Sequence, residues 1–177
     1  MGLLLAYTHV EAHRMVRVMH MKRNKLWIYL TAIAIPEAVG ALAGVLTQDG
    51  VEAFRQLPQS ELTPPGIVFP IVWTILYALM GISLARIWLA SESPERTKGL
   101  SLFLFQLIFN FFWSFFFFNM QAFFFSLLWI IVLWVLIGLM IRSFYKTDKL
   151  AAWLQIPYFL WVTFAAYLTY AAWQLNG

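Results

Sequence analysis

Three polar side chains, Gln106, Asn110 and Ser114, follow one another at four-residue intervals in a segment rich in Phe, Leu and Trp. In a helix this spacing places all three in one line along one face. Amide and hydroxyl groups surrounded by apolar material must find partners inside the protein, so we expect the line to face other helices. Two roles are open to it: hydrogen bonding between helices, and contact with a ligand through Asn110.

Large aromatic side chains recur at helical spacing in a second segment. Phe69, Trp73 and Tyr77 lie four residues apart, and the double proline before them predicts a helix that begins near Pro65. Aromatic faces of this kind stack on flat conjugated molecules at offset geometry. The segment therefore offers one wall of a site for a flat apolar ligand.

A third segment, near the C-terminus, contributes a comparable face. Apolar walls with a few polar groups are typical of small-molecule sites. The alternative is that these side chains serve only as packing and membrane-interface residues. The ligand-binding candidates from the three segments are Phe69, Trp73, Tyr77, Asn110, Ser114, Tyr158, Trp161 and Ala165.

Other chemistry has little support in this sequence. It contains no cysteine, no histidine inside an apolar segment, no paired carboxylates in such segments and no glycine-rich phosphate loop. We therefore predict no metal site, no obligatory cofactor and no firm catalytic residue. Glu37, beside Pro36, is the one carboxylate within a predicted span; it is either a functional group, as proton-coupled transport would require, or a hydrogen-bonded group facing the bundle.

The elements that carry these residues are membrane helices. The chain has 177 residues, of which 62% are hydrophobic and 11% are charged, whereas soluble domains have about a quarter charged residues. We predict an all-α integral membrane bundle of five transmembrane helices, with a basic N-terminal tail over residues 1–25 and a transmembrane domain over 26–177. Downstream methionines leave open a later translation start. The predicted spans are about 26–47, 65–89, 100–118, 122–141 and 150–175.

Charge predicts the orientation. With the N-terminus in the cytoplasm, eleven Lys and Arg residues lie on the inner side and only Arg55 lies outside, as the positive-inside rule requires. The net charge of +4 is thus a topology signal rather than a nucleic-acid-binding patch. The loop over 48–64 and the C-terminus then share the outer face, where the loop can cover a cavity between the helices. The pattern Gly40-x-x-x-Gly44 predicts close helix packing, within one subunit or in a dimer.

Three motifs resemble one family. These are the run Pro64-Pro65-x-x-x-Phe69-x-x-x-Trp73-x-x-Leu76-Tyr77-x-x-Met80-Gly81, the run from Gln106 through Asn110 to Phe118, and the run from Pro157 to Leu168. They resemble the translocator protein family, also called the TspO/MBR family, the tryptophan-rich sensory proteins of bacteria or the peripheral-type benzodiazepine receptors of animals. The resemblance spans roughly residues 26–176.

The resemblance implies a five-helix bundle, often a homodimer, in which the first loop closes a ligand pocket. It implies binding of porphyrins, including haem and protoporphyrin IX, with a regulatory or transport output. Trp73 and Asn110 resemble residues that hydrogen-bond ligands, Ala165 a position that affects affinity, and Trp161 a tryptophan implicated in porphyrin photochemistry. A second implied role is therefore light-dependent breakdown of protoporphyrin, with Trp73 and Trp161 as the candidate redox-active side chains. A bacterial plasma membrane is the implied location.

The first loop departs from the family pattern. The family commonly has Trp-Tyr followed by Lys-Pro-x-Trp-x-Pro-Pro, where this chain has Ala53-Phe54 and then a run from Gln59 to Pro65 without tryptophan. Ligand selectivity is expected to differ for that reason. The candidate lid residues are Phe54, Leu62, Pro64 and Pro65. The cholesterol-associated segment of animal members has no counterpart here, so cholesterol binding is not expected.

Overall fold

The computed structural model describes the backbone of residues 2–177 and the side chains from Asn24 onward. The described chain consists of helices, with no strand. In chain order they are α1 (Gly2–Arg55), α2 (Val68–Leu89), α3 (Pro94–Ser114), a π-helical turn (Phe115–Asn119), α4 (Phe123–Thr147), α5 (Lys149–Trp153) and α6 (Ile156–Asn176).

Five segments are long and apolar enough to cross a membrane, which confirms the predicted class of all-α bundle with five transmembrane helices. The π turn continues α3, and α5 with α6 forms the last segment. The five segments are Asn24–Arg55, Val68–Leu89, Pro94–Asn119, Phe123–Thr147 and Lys149–Asn176.

Helix α1 extends beyond the predicted span at both ends. Its backbone is helical from Gly2, through the predicted tail, and the side chains at positions 1–23, including the three histidines, lie outside the described residues. At its other end α1 continues to Arg55, so the first half of the predicted loop is helical. Gly50 fits there closely against Phe118 and Asn119, where a Cβ would overlap both residues. Packing on the π turn thus holds the extra turns in place.

Helix α2 begins at Val68, three residues later than predicted. Pro64 and Pro65 lie in the loop before it, and the Val68 N–H donates to the Pro65 carbonyl at 2.9 Å, which closes a turn. A residue that precedes proline is disfavoured in the α region, so Pro64 cannot join the helix. Helix α3 begins at Pro94, where Ser93 caps it by accepting from the Arg96 N–H at 3.1 Å.

The bundle is assembled from neighbouring pairs. Helix α1 packs on α2, α3 on α4, and α4 on α6, with fully buried side chains of α4 such as Ile137 and Met140 in the core. The α1–α2 contact is close at Gly81, where a Cβ would overlap the backbone of Ala32 and Ile33. Because Pro36 has no N–H, the Ala32 carbonyl lacks its usual helical partner and lies beside Gly81 instead.

The two ends of the bundle differ in character. We call the end that carries Arg86, Arg96 and Asp148 the basic end, and the end that carries residues 56–67 and the C-terminus the loop end. At the basic end, the Arg86 guanidinium donates to the Asp148 carboxylate at 2.7 Å. At the loop end, the Asn176 amide donates to the Pro58 carbonyl at 3.0 Å. The first loop and the C-terminus therefore lie on the same face, as the sequence predicts.

Candidate ligand site

A chain of hydrogen bonds joins α2, α3 and α6 in the interior of the bundle. The Tyr77 hydroxyl donates to Asn110 Oδ1 at 3.0 Å, and Asn110 Nδ2 donates to the Tyr158 hydroxyl oxygen at 3.2 Å. The Tyr158 hydroxyl in turn donates to Gln106 Oε1 at 2.8 Å. All four side chains are buried. We call this set, Tyr77, Asn110, Tyr158 and Gln106, the polar chain.

The polar chain tests the prediction that the line of polar residues on α3 faces other helices. Gln106 and Asn110 face the interior and hydrogen-bond across helices, so the predicted direction of the line is confirmed for these two. Ser114 lies at the last α-helical residue before the π turn, is half-buried, and is not a member of the polar chain.

Tyr77 is positioned by a glycine on another helix. Gly40 of α1 lies so close to the Tyr77 ring that a Cβ there would overlap it. Gly44 of the same motif is exposed and has nothing within 4 Å. Gly40 therefore has one of the two roles predicted for this motif, namely close helix packing within one subunit.

An aromatic group lies on the loop-end side of the polar chain. Trp73 stacks on Tyr77, with ring centroids 5.2 Å apart and planes inclined by 28°, and meets Tyr158 edge-on at 6.2 Å. Phe69 meets Trp161 edge-on at 6.0 Å. Phe69, Trp73 and Trp161 are half-buried. We call Phe69, Trp73, Tyr77, Tyr158 and Trp161 the aromatic wall; the structure thus brings together five of the predicted site residues from α2 and α6.

The remaining predicted residue of α6 lies on its inner face. Ala165 is 8% exposed, and its carbonyl accepts a hydrogen bond from the Thr169 hydroxyl at 2.8 Å. Its small side chain follows Tyr158 and Val162 along the buried face of α6.

The polar chain determines how a ligand can interact here. Both polar atoms of Asn110 are already engaged, Oδ1 by Tyr77 and Nδ2 by Tyr158. A carboxamide oxygen can accept two hydrogen bonds and its NH2 group can donate two, so a ligand can bind Asn110 either at a remaining position or by replacing Tyr77 or Tyr158. Such an exchange leaves few buried polar groups unpaired, so its net energy is modest.

The four predicted lid residues differ in position and in exposure. Phe54 belongs to the last turn of α1 rather than to a loop, and its ring packs against Phe117 at 4.9 Å and Phe118 at 5.7 Å. Leu62 is 61% exposed, and so does not cover the bundle interior. Of the two prolines, Pro64 is half-buried and Pro65 is exposed. Phe54 was thus wrongly placed in the predicted loop, because α1 extends further than its apolar composition indicated; the lid role of the four residues stays a prediction.

The remaining ionisable groups give the site no metal-binding set. Among the side chains from Asn24 onward, no group of three His, Cys, Asp or Glu residues could hold a metal ion. Glu37 is half-buried on α1, three residues before Gly40 and hence on the side of α1 that meets Tyr77.

Two residues of this region escaped the sequence analysis as site candidates. Gln106 entered only as a member of the polar line, although it accepts the Tyr158 hydrogen bond. Gln155, at the N-cap of α6, is fully buried. The signal for Gln155 was available, because a lone amide in the apolar run Leu154 to Pro157 must be buried with a partner or with water.

Comparisons with known sequences match this chain to one family. The sequence profile of the TspO/MBR family matches residues 32–174. A Chlorobaculum tepidum protein named "Tryptophan-rich protein TspO" is 39% identical, covering 70% of this chain and 78% of its own length. A Cereibacter sphaeroides "Tryptophan-rich sensory protein" is 32% identical, covering 84% and 89%. A "Translocator protein" of Sus scrofa is 30% identical, covering 72% and 76%.

Proposed function

The chain belongs to the TspO/MBR family, and from this premise we propose that it is a membrane receptor for tetrapyrroles such as protoporphyrin IX and haem, or for similar flat apolar molecules. The ligand binds against the aromatic wall and exchanges hydrogen bonds with the polar chain. Its binding is then coupled to a regulatory or transport output. The names "sensory protein" and "Translocator protein" of two relatives favour an output of this kind.

One observation carries the proposal. Trp73 stacks on Tyr77 and meets the edge of Tyr158, and both tyrosines hydrogen-bond to Asn110. A half-buried indole beside a hydrogen-bonding amide offers a flat apolar ligand both a stacking surface and one point of polar recognition. The rings of the aromatic wall lie between α2 and α6. When these rings rotate, a planar ligand can occupy the volume that they leave.

A titration tests the proposal. Purified protein in detergent is titrated with protoporphyrin IX while the Soret band is followed, and Asn110→Ala is compared with Ser101→Ala, an exposed hydroxyl on the same helix. We expect saturable binding that Ser101→Ala leaves unchanged and Asn110→Ala weakens about fivefold, since a hydrogen bond to a ligand is worth about 1 kcal/mol. Unsaturable partitioning equal to that of empty micelles would refute the proposal.

A second candidate function is light-dependent breakdown of bound protoporphyrin with molecular oxygen as the oxidant. The contact series Trp73–Tyr77 and Trp73–Tyr158 favours it, because adjacent oxidisable rings can pass an electron to an excited porphyrin. Under illumination at saturating protoporphyrin IX, so that weaker binding does not change occupancy, Trp73→Phe and Trp161→Phe should slow porphyrin bleaching. Trp134→Phe, on the outer side of α4, is the control. Bleaching at the rate of free porphyrin in detergent would exclude this candidate.

The membrane arrangement belongs to the same proposal. We infer a bacterial plasma membrane with the basic end cytoplasmic and the loop end outside, since Arg86, Arg96 and their basic neighbours share one end. Because the natural chain lacks cysteine, single cysteines at Gln59 and Lys98 report the orientation. An impermeant maleimide should label the first and not the second in whole cells; the reverse pattern would contradict the orientation.

A homodimer is also proposed, with crosslinking of a Gly44→Cys variant as its test.

A further inference from the structure

We propose that Gln106 and Gln155 bind internal water, which forms a buried hydration site next to the polar chain on its basic-end side. Gln155 is 0% exposed, and neither its Oε1 nor its Nε2 has a hydrogen-bond partner within the part of the chain that the structure describes. Gln106 is also 0% exposed, and its Nε2 is likewise without a protein partner. Buried carboxamides are nearly always paired, with protein or with ordered water.

The topology brings the two amides to one region. Gln155 precedes Tyr158 by three residues, so the two share the inner face of α6, and Tyr158 donates to Gln106 at 2.8 Å. Helices α3 and α6 both run from the basic end to the loop end. Gln106 lies one turn before Asn110, and Gln155 one turn before Tyr158. Gln106 is therefore the member of the polar chain nearest the basic end, and Gln155 lies on the basic-end side of Tyr158.

The donors and acceptors at this place match water better than other ligands. Gln106 Nε2 offers donors only, whereas Gln155 offers both donors and an acceptor. An anion would need a positive charge, which neither amide carries. A cation needs several oxygen ligands, whereas Gln155 Oε1 is the one oxygen of these two amides without a protein partner. Nearby, the Ser83 hydroxyl already donates to the Ala151 carbonyl at 2.7 Å, so it does not compete. A neutral molecule that donates and accepts at once, as water does, satisfies both glutamines.

Radiolytic footprinting tests the site in the intact protein. Hydroxyl radicals generated in the sample label a buried ring only where water lies beside it, and mass spectrometry identifies the labelled residue. Tyr158 and Phe144 are both aromatic and both 0% exposed, but Phe144 stacks on Phe103 in an apolar part of the core. We expect Tyr158 to be labelled several-fold faster than Phe144.

Two variants connect the labelling to Gln155. In Gln155→Leu the labelling of Tyr158 should fall to the level of Phe144. Gln155→Met, which has an unbranched apolar side chain of similar length, repeats the test should the leucine variant not fold. Tyr158 labelling equal to that of Phe144 in the natural protein, or unchanged labelling in either variant, would overturn the proposal. Porphyrin affinity is not used as the readout, so the outcome is independent of the proposed function.

Discussion

Gly40 of α1 lies directly against the ring of Tyr77 of α2, so closely that a Cβ at position 40 would overlap the ring. With the ring seated there, the Tyr77 hydroxyl reaches Asn110 Oδ1 at 3.0 Å. A residue that contributes no side chain therefore determines where the polar chain begins. The same contact makes α1 part of the ligand site, although none of the five rings of the aromatic wall belongs to α1.

Replacing this glycine should disturb the site from a distance. In Gly40→Ala the new methyl group must displace Tyr77, and overpacking of this kind costs about 1–3 kcal/mol. We expect a lower melting temperature in detergent and weaker protoporphyrin binding. Gly44→Ala is the matched control, because nothing lies within 4 Å of its added Cβ. Equal effects of the two substitutions would show that helix propensity, and not the Tyr77 contact, is being measured.

Removing the hydrogen-bond donor to Asn110 should affect ligand binding differently from removing the Asn110 side chain itself. Tyr77→Phe removes the donor to Asn110 Oδ1, so a ligand N–H can reach this oxygen without displacing a partner. We expect the affinity for protoporphyrin IX to be retained or increased, although the protein loses about 1 kcal/mol of stability with the hydrogen bond. Asn110→Ala, by contrast, should weaken binding. Binding weakened equally in both variants would mean that the Tyr77 hydroxyl itself contacts the ligand.

The helical class was predictable from the sequence because it depends on composition and length. Five apolar segments appear where the sequence places them, and the inward direction of Gln106 and Asn110 followed from the four-residue spacing and from the cost of unpaired amides in lipid. The extension of α1 to Arg55 was not predictable in this way. It depends on Gly50 fitting against the π turn, which is a contact between segments far apart in the chain.

The residues that belong to the site were more predictable than the hydrogen bonds that join them. The aromatic wall follows from residue spacing and family motifs, but the order of donors from Tyr77 to Gln106 depends on side-chain geometry. Burial of Gln155 follows from the short helix α5 and the turn after it, which bring the start of α6 into the core. Phe54 was assigned to the first loop because the predicted loop began at position 48, eight residues too early.

The contact between Asn176 and Pro58 should hold the first loop over the bundle. Asn176 Nδ2 donates to the Pro58 carbonyl and to the Ala172 carbonyl, both at 3.0 Å. In Asn176→Ala we expect faster ligand association and dissociation with a nearly unchanged melting temperature, because the contact is at the surface. Gln174→Ala, which is exposed on the same helix, is the control. Stopped-flow rates that match those of the natural protein would show that the contact does not restrain the loop.

The ion pair at the basic end should make stability depend on pH. Burial alone would raise the pKa of the Asp148 carboxyl, but hydrogen bonds from the Ala151 N–H and the Arg86 guanidinium outweigh it and hold the pKa below its ordinary value of 3.8. A lowered pKa stabilises the fold above pH 3.8, and this contribution is lost as the pH falls through the folded-state pKa. Acidification should therefore lower the melting temperature.

Asp148→Asn isolates the charge in that experiment, because asparagine can still cap α5 at the Ala151 N–H. We expect the difference in melting temperature between the natural protein and Asp148→Asn to be largest near neutral pH and to shrink as the pH falls below 3.8. A difference that stays constant over this range would mean that the pair with Arg86 contributes no pH-dependent stability.

The central claim is that a flat ligand binds against Trp73, and the affinity of Trp73→Phe for protoporphyrin IX tests it most directly. Trp134→Phe is measured beside it, because Trp134 is exposed on α4 and hydrogen-bonds to Thr163, away from the aromatic wall. Loss of stacking and polar contact at the indole should weaken binding about tenfold in Trp73→Phe, with no change in Trp134→Phe. Unaltered affinity in Trp73→Phe, or an equal loss in both variants, would contradict the account.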